Sequence, residues 1–301
     1  MPLRSLVTQL RSAALTGELL QRTERDARLL LRGAGRISRA LVASALAQKE
    51  GRPLLVVVPT LEEAGRWTAL LELMGWGSAS LYPTSEGSPY EPFDPTSEII
   101  WGQLQVLSDL IGTDDLAGKA IVATERCLQP HLPPRQALEA TCRTLKKGDE
   151  LDLDDLADTL ARLGYERVST IDQEGTWSRR GDIVDIYPVS SELPVRLEFF
   201  GEELDKLREF DPATQRSLDP VDRLQLTPTG FGRLVAGQLR ESMPEGLGRL
   251  LGDEATEELL EGGTPEGLRR LMGLAWGQPA CLLDYLPASA EVVIDERRHG
   301  L

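Results

Sequence analysis

The chain has 301 residues, 41% apolar and 27% charged, which is enough for about two globular domains, each with its own core. A formal net charge of -15 argues against unaided, non-specific nucleic-acid binding, which draws its affinity from neutralising phosphates. Three scattered cysteines (Cys127, Cys142, Cys281) and two histidines give neither a disulfide framework nor metal-ligand spacing, so no metal site is expected. No apolar run nears the roughly 20 residues of a membrane span, and no secretory signal opens the chain, so a cytoplasmic protein is expected.

In chain order, residues 1–30 carry apolar positions at helical spacing (Leu6, Leu10, Ala13, Ala14, Leu19, Leu20). Gly33 and Gly35 then precede a helix through Leu41–Leu46 and a buried-type strand, Leu54–Val58. That order opens a nucleotide-binding α/β unit, where a turn and a helix N-terminus cradle phosphates. A working phosphate loop also needs a Lys for charge and a hydroxyl for magnesium. The segment here is Gly33-Ala34-Gly35-Arg36-Ile37-Ser38-Arg39, without the lysine, so it reads either as a phosphate loop or as a structural turn. A helix from Thr60 presents Leu61, Ala64, Trp67, Leu70, Leu71 and Met74 on one face, with Gly75 as its expected cap. The proline-rich stretch from Pro83 to Pro95 is a loop, with Tyr90 and Phe93 as candidate anchors. A helix over Ile99–Leu110 and a strand over 120–124 complete an alternating α/β pattern, the sign of a parallel sheet layer.

Past Thr124 the pattern changes, and the prolines of CLQPHLPPRQAL mark a crossing into an inserted domain. Asp152, Asp154 and Asp155 begin a helix, where carboxylates suit the positive end of the dipole; a metal site is the other reading. From Leu163 to Arg216 the chain has its densest strand and turn signals: strands over Val168–Ile171, Ile183–Tyr187 and Leu204–Phe210, with a turn at Glu174-Gly175 and Trp177 leading into Arg179-Arg180-Gly181. Between them Val195, Leu197 and Phe199 alternate with Arg196, Glu198 and Phe200, as in a half-buried antiparallel strand. Arg167, Arg179 and Arg180 stand out as forked cationic donors, to be met by a partner's acids or by Asp172, Glu174 or Asp182 within the chain. Residues 217–301 read as a strand, amphipathic helices through Leu234–Leu251 and Glu254–Leu274, and the strand Val292–Ile294 before Asp295 and Glu296. In a P-loop enzyme such an acid pair serves magnesium and the attacking water.

The motifs GYERV (164–168), RRGDIVDIYP (179–188), ELPVRLEFFGEELDKLREFDPATQRS (192–217), SPYEPFDPTSEII (88–100) and LLDYLPASAEVVIDE (282–296) carry a resemblance. Together they resemble the N-terminal, UvrB-like module of the bacterial transcription-repair coupling factor family (Mfd), a module itself similar to the excinuclease component UvrB. The resemblance implies a RecA-like parallel α/β layer lacking a working P-loop, interrupted by an inserted α+β domain rich in antiparallel strands. The implied boundaries are 1–125 for the first part of the layer, 126–216 for the insert, and 217–301 for a mostly helical second part with a closing strand. It also implies a non-catalytic module that recruits the excinuclease component UvrA in transcription-coupled nucleotide excision repair. The docking arginines of UvrB fall on Arg167 and Arg180; Arg179 beside them and Ile183 as an apolar contact complete the expected partner-binding set. Ser178 stands where the UvrB pattern has a further arginine. Gly33, Gly35, Ser38, Asp295 and Glu296 would be a vestigial nucleotide site, without a cofactor of its own. ATP and magnesium would serve only the motor of the full-length family, whose other domains contact RNA polymerase and DNA. The alternative is a UvrB-like nucleotide-binding ATPase that loads onto damaged DNA.

Overall fold

Leu54–Val58 is buried along its whole length, as a β-branched and leucine run must be when both faces of a parallel sheet are covered. The computed structural model describes residues 2–295, apart from 27, 86, 88–90, 92 and 114. In it this strand is interior to a four-stranded, all-parallel sheet with Glu291–Ile294 on one side and Lys119–Thr124 on the other. Ser78–Tyr82 pairs with the far side of Lys119–Thr124 and is not marked as a strand by its sequence pattern. Leu54, Val56, Val58, Ala120 and Val122 pack with Ala40, Ala43 and Ala47 of the Arg36–Lys49 helix and with Trp67, Leu71 and Met74. The Leu61–Glu72 helix begins where the Thr60 hydroxyl accepts the Glu63 N–H, satisfying one of the orphan donors of the first turn. It ends on Leu73 rather than on Gly75, which lies two residues further on at φ +81°. The helical stretch at the start divides into Leu3–Arg11 and Ala14–Asp26.

The chain forms two compact units, Met1–Thr84 with Thr113–Gln129 and Leu282–Leu301, and Ser85–Gly112 with Pro130–Cys281. These divisions lie elsewhere than the boundaries expected at 125/126 and 216/217. Most of residues 217–301, expected to rejoin the parallel layer, belongs to the second unit. The reason is a non-local pairing: Arg223–Leu226 lies antiparallel to Arg143–Lys146, eighty residues earlier in the chain. Ser97–Ile111 is also held there. The buried Arg269 donates to Gln103 Oε1 at 2.8 Å and stacks 5.0 Å from the Phe231 ring, while Trp101 Nε1 donates to the Thr229 carbonyl.

The second unit is built on a six-stranded sheet in the order Ser217–Pro220, Glu203–Phe210, Val195–Phe200, Ile183–Tyr187, Thr176–Arg180, Glu166–Arg167. Its neighbours are antiparallel except at the last, two-residue edge strand, which runs parallel to Thr176–Trp177. Val168–Ile171, expected as a strand, is not one. The Leu153–Leu163 helix covers one sheet face: Leu156, Leu160 and Leu163 pack with Trp177, Val184, Ile186, Val195, Leu197 and Leu207. Each such buried side chain contributes about 1.5–3 kcal/mol. Asp152 caps this helix by accepting the N–H groups of Asp154 and Asp155, and Gly164 closes it at φ +97°. The acidic run is therefore a helix start. Phe93 is 74% exposed and anchors nothing, and Tyr90 lies outside the described residues. The long helices read beyond Leu234 are shorter pieces, Gly232–Ser242, Leu247–Leu251, Asp253–Leu260 and Met272–Trp276.

Candidate partner-binding site

The residues read as partner contacts lie at one edge of the six-stranded sheet. Thr176–Arg180 and Ile183–Tyr187 form a hairpin whose turn uses Gly181 at φ +61°, a conformation that glycine adopts without steric cost. Strand alternation sends Trp177 and Arg179 toward the helix-covered face, and Ser178 and Arg180 to the other. The four residues are thus not on one face.

Arg167, on the edge strand opposite Trp177, is exposed and lays its guanidinium 5.2 Å from the Trp177 ring centroid. Arg179 is held inside the unit. Its Nη1 donates to Asp154 Oδ1 at 2.7 Å and its Nε to the Gly181 carbonyl. It thereby ties the hairpin to the first turn of the helix. The Asp152 carboxyl beside it is held below the usual aspartate range by the backbone N–H groups of Asp155 and Asp154, with Arg179 adding to the effect. Arg180 is exposed and donates from Nη2 to the Ser169 carbonyl at 3.0 Å, which fixes its stem and leaves its charge without a carboxylate. Neither Arg167 nor Arg180 forms an ion pair with a described residue, nor does Asp172, Glu174 or Asp182. Ile183 lies directly opposite Arg180 and is 39% exposed.

The second set of candidates is in the first unit. Gly33 has φ +72° and Gly35 is the N-cap of the Arg36–Lys49 helix, with Ser38 exposed in its first turn. Asp295 is buried. Its Oδ1 is paired with Arg39 and its Oδ2 accepts from Trp67 Nε1 at 2.7 Å. Arg36 is paired in turn with Glu63, itself buried. Both oxygens of the one described carboxylate at the strand end are therefore engaged by this chain's own groups. With no lysine in residues 33–39 and both Asp295 oxygens engaged, the set does not fit a magnesium-nucleotide. Glu296 lies outside the described residues.

Residues 144–230 match the UvrB interaction domain family. Across nearly its whole length the chain also aligns with transcription-repair-coupling factors. It is 31% identical to that of Mycobacterium bovis over 309 residues, covering 97% of this chain. It is 29% identical to that of Bacillus subtilis and 27% identical to that of Escherichia coli, each covering 89% of this chain. The chain is similar to one part of a transcription-repair-coupling factor. It spans about a quarter of the length of these relatives: 25%, 24% and 23% respectively. The resemblance read from the motifs is the one these comparisons show.

Within the residues that match this family, the motif FDPATQR has a structural explanation. Asp211 accepts the N–H groups of Ala213 and Thr214, and Gln215 sits at φ +60°. The Gln215 amide donates to the carbonyls of Ile171 and Pro212, and its own carbonyl accepts from Arg196. Arg196 meets both oxygens of the buried Asp185, at 2.7 and 2.9 Å, and lies 4.8 Å from the Phe210 ring. That pair holds the guanidinium charged, its pKa raised first by the hydrogen bond to Asp185. The loop so fastened carries Ser169, the residue that orients Arg180. Sequence reasoning also passed over Phe200, 83% exposed on the strand after Ile183's own partner Glu198. Its doubled aromatic, Phe199-Phe200, was a usable signal. In an alternating strand one of the two must face away from the core, and Phe199 is the buried one.

Proposed function

We propose that this chain is the UvrA-recruiting, non-catalytic part of a transcription-repair coupling factor, acting in transcription-coupled nucleotide excision repair. The observation that carries the reading is the pair Arg180 and Ile183, a guanidinium without a carboxylate beside an exposed apolar side chain, held on a fastened sheet edge. Forked donors flanking apolar anchors are the usual composition of an energetic interface centre. Arg167 extends the surface around the edge strand, and Phe200 is a further exposed apolar contact. Arg179, occupied by Asp154, serves the surface from within. RNA polymerase and DNA would be met by segments of the longer protein, and ATP with magnesium by its motor. The UvrB-like ATPase alternative loses support from Asp295, whose oxygens are already engaged by Arg39 and Trp67.

Pull-down of UvrA by the wild-type chain and by the Arg167→Ala/Arg180→Ala variant tests the reading. Capture by the wild type and loss in the variant is expected. Equal capture by both overturns it.

A further inference from the structure

A groove of about 640 Å³ opens in the second unit. Its apolar wall is made by Ala137, Ala140, Leu163, Leu234 and Trp276, and three guanidiniums border it, from Arg143, Arg162 and Arg233, against the single carboxylate of Glu241. None of these four charged groups forms an ion pair with a described residue. Arg143 Nη1 and Arg162 Nη2 instead donate to one neutral oxygen, Thr159 Oγ1, at 3.4 and 2.9 Å. Two like charges sharing a hydroxyl repel each other, and no carboxylate among the described residues pairs with either. Arg233 packs over Gly164 so closely that a Cβ there would come within 2.8 Å of its Nε. The Cys142 thiol in the wall stays protonated, pushed up to about 12 by burial and by Glu139, so it supplies no counter-charge. In a chain of net charge -15, uncompensated cations gathered around a partly apolar groove are a local exception.

We infer that this groove binds a small organic phosphate, its anionic group seated on Arg143, Arg162 and Arg233 and its body against Leu234 and Trp276. The volume suits a metabolite-sized molecule, and planar guanidinium forks match phosphate oxygens in pairs.

The test is calorimetric titration of the full chain with phenyl phosphate, inorganic phosphate and phenol. Phenyl phosphate should bind saturably, at least tenfold more tightly than inorganic phosphate, and phenol should not bind. Arg162→Ala and Arg233→Ala should each weaken binding about tenfold, and Glu241→Gln should strengthen it several-fold. Because Arg143 lies in a paired strand, Arg143→Lys is the variant to use there, with folding checked by circular dichroism. Absence of saturable binding overturns the inference, as does binding indifferent to Arg162→Ala, Arg233→Ala and Glu241→Gln.

Discussion

Two arginine pairs in this chain have opposite fates. In the first unit Arg36 and Arg39 follow Gly35 at the start of a helix, and each is consumed by a buried carboxylate, Glu63 or Asp295. In the second unit Arg167 lies on the edge strand and Arg180 on the strand beside it, fixed by a tryptophan ring and a backbone carbonyl that leave their charge uncompensated. A guanidinium whose charge is matched inside the fold is structural. One whose charge is left open is, on the proposed reading, free to meet a partner. Proximity to a glycine turn or to a family motif does not separate the two cases, but the identity of the acceptor does.

The largest expected effect would break the first half of that contrast. Asp295→Ala strands the Arg39 guanidinium and the Trp67 N–H in a mostly buried setting and should cost about 3 kcal/mol in chemical denaturation. Asp295→Asn should cost less, since an amide oxygen can still accept from Trp67. A change within about 0.5 kcal/mol, the range of ordinary surface substitutions, would mean that Asp295 is not structural, and magnesium-ATP titration would then be the decisive follow-up. Next comes the exposed pair. Arg180→Ala should leave stability within about 0.5 kcal/mol while weakening UvrA binding by about tenfold, the ordinary size of a hot-spot loss; lost stability with intact binding would reverse its role. Gln215→Ala should remove the ties to Ile171 and Pro212 for about 1–2 kcal/mol. It should also weaken partner binding several-fold, by loosening the loop that carries Ser169. Unchanged binding in that variant would separate the loop from the site.

The smallest effect is a pH dependence. The Asp152 carboxyl is lowered in the folded chain, so its contribution is present above the ordinary aspartate value, about 3.9, and is lost as pH falls through the folded value. Asp152→Asn still caps but does not titrate. The stability difference between wild type and this variant should therefore shrink below about pH 4; a difference flat across that range would assign the cap no ionic component.

Local pattern made parts of this fold legible. Leu54–Val58 reads as a buried parallel strand because every side chain is apolar, and Val195–Phe200 reads as antiparallel because its burial alternates. What stayed hidden depends on partners distant in sequence. Ser78–Tyr82 is only partly buried and mixed in composition, and it is a strand because Lys119–Thr124 lies beside it. Arg223–Leu226 belongs with Arg143–Lys146 for the same reason. At the sites, the sequence placed Ser38 and Asp295 in one candidate phosphate region, but no spacing rule could reveal that the neighbouring Arg39 meets Asp295. Nor could it divide Arg179 from Arg180. Adjacent residues in a strand face opposite ways, and only the position of Asp154 decides which of them is occupied.

The contrast is tested most directly by calorimetric titration of UvrA into two double variants, Arg167→Ala/Arg180→Ala and Arg36→Ala/Arg39→Ala, with denaturation midpoints measured alongside. The first should keep a near wild-type midpoint and lose UvrA affinity by more than about tenfold. The second should have a lower midpoint and bind like the wild type per folded molecule. Wild-type affinity in the first variant, or lost affinity in a fully folded second variant, would contradict the assignment of the exposed arginines to recognition and the paired ones to structure.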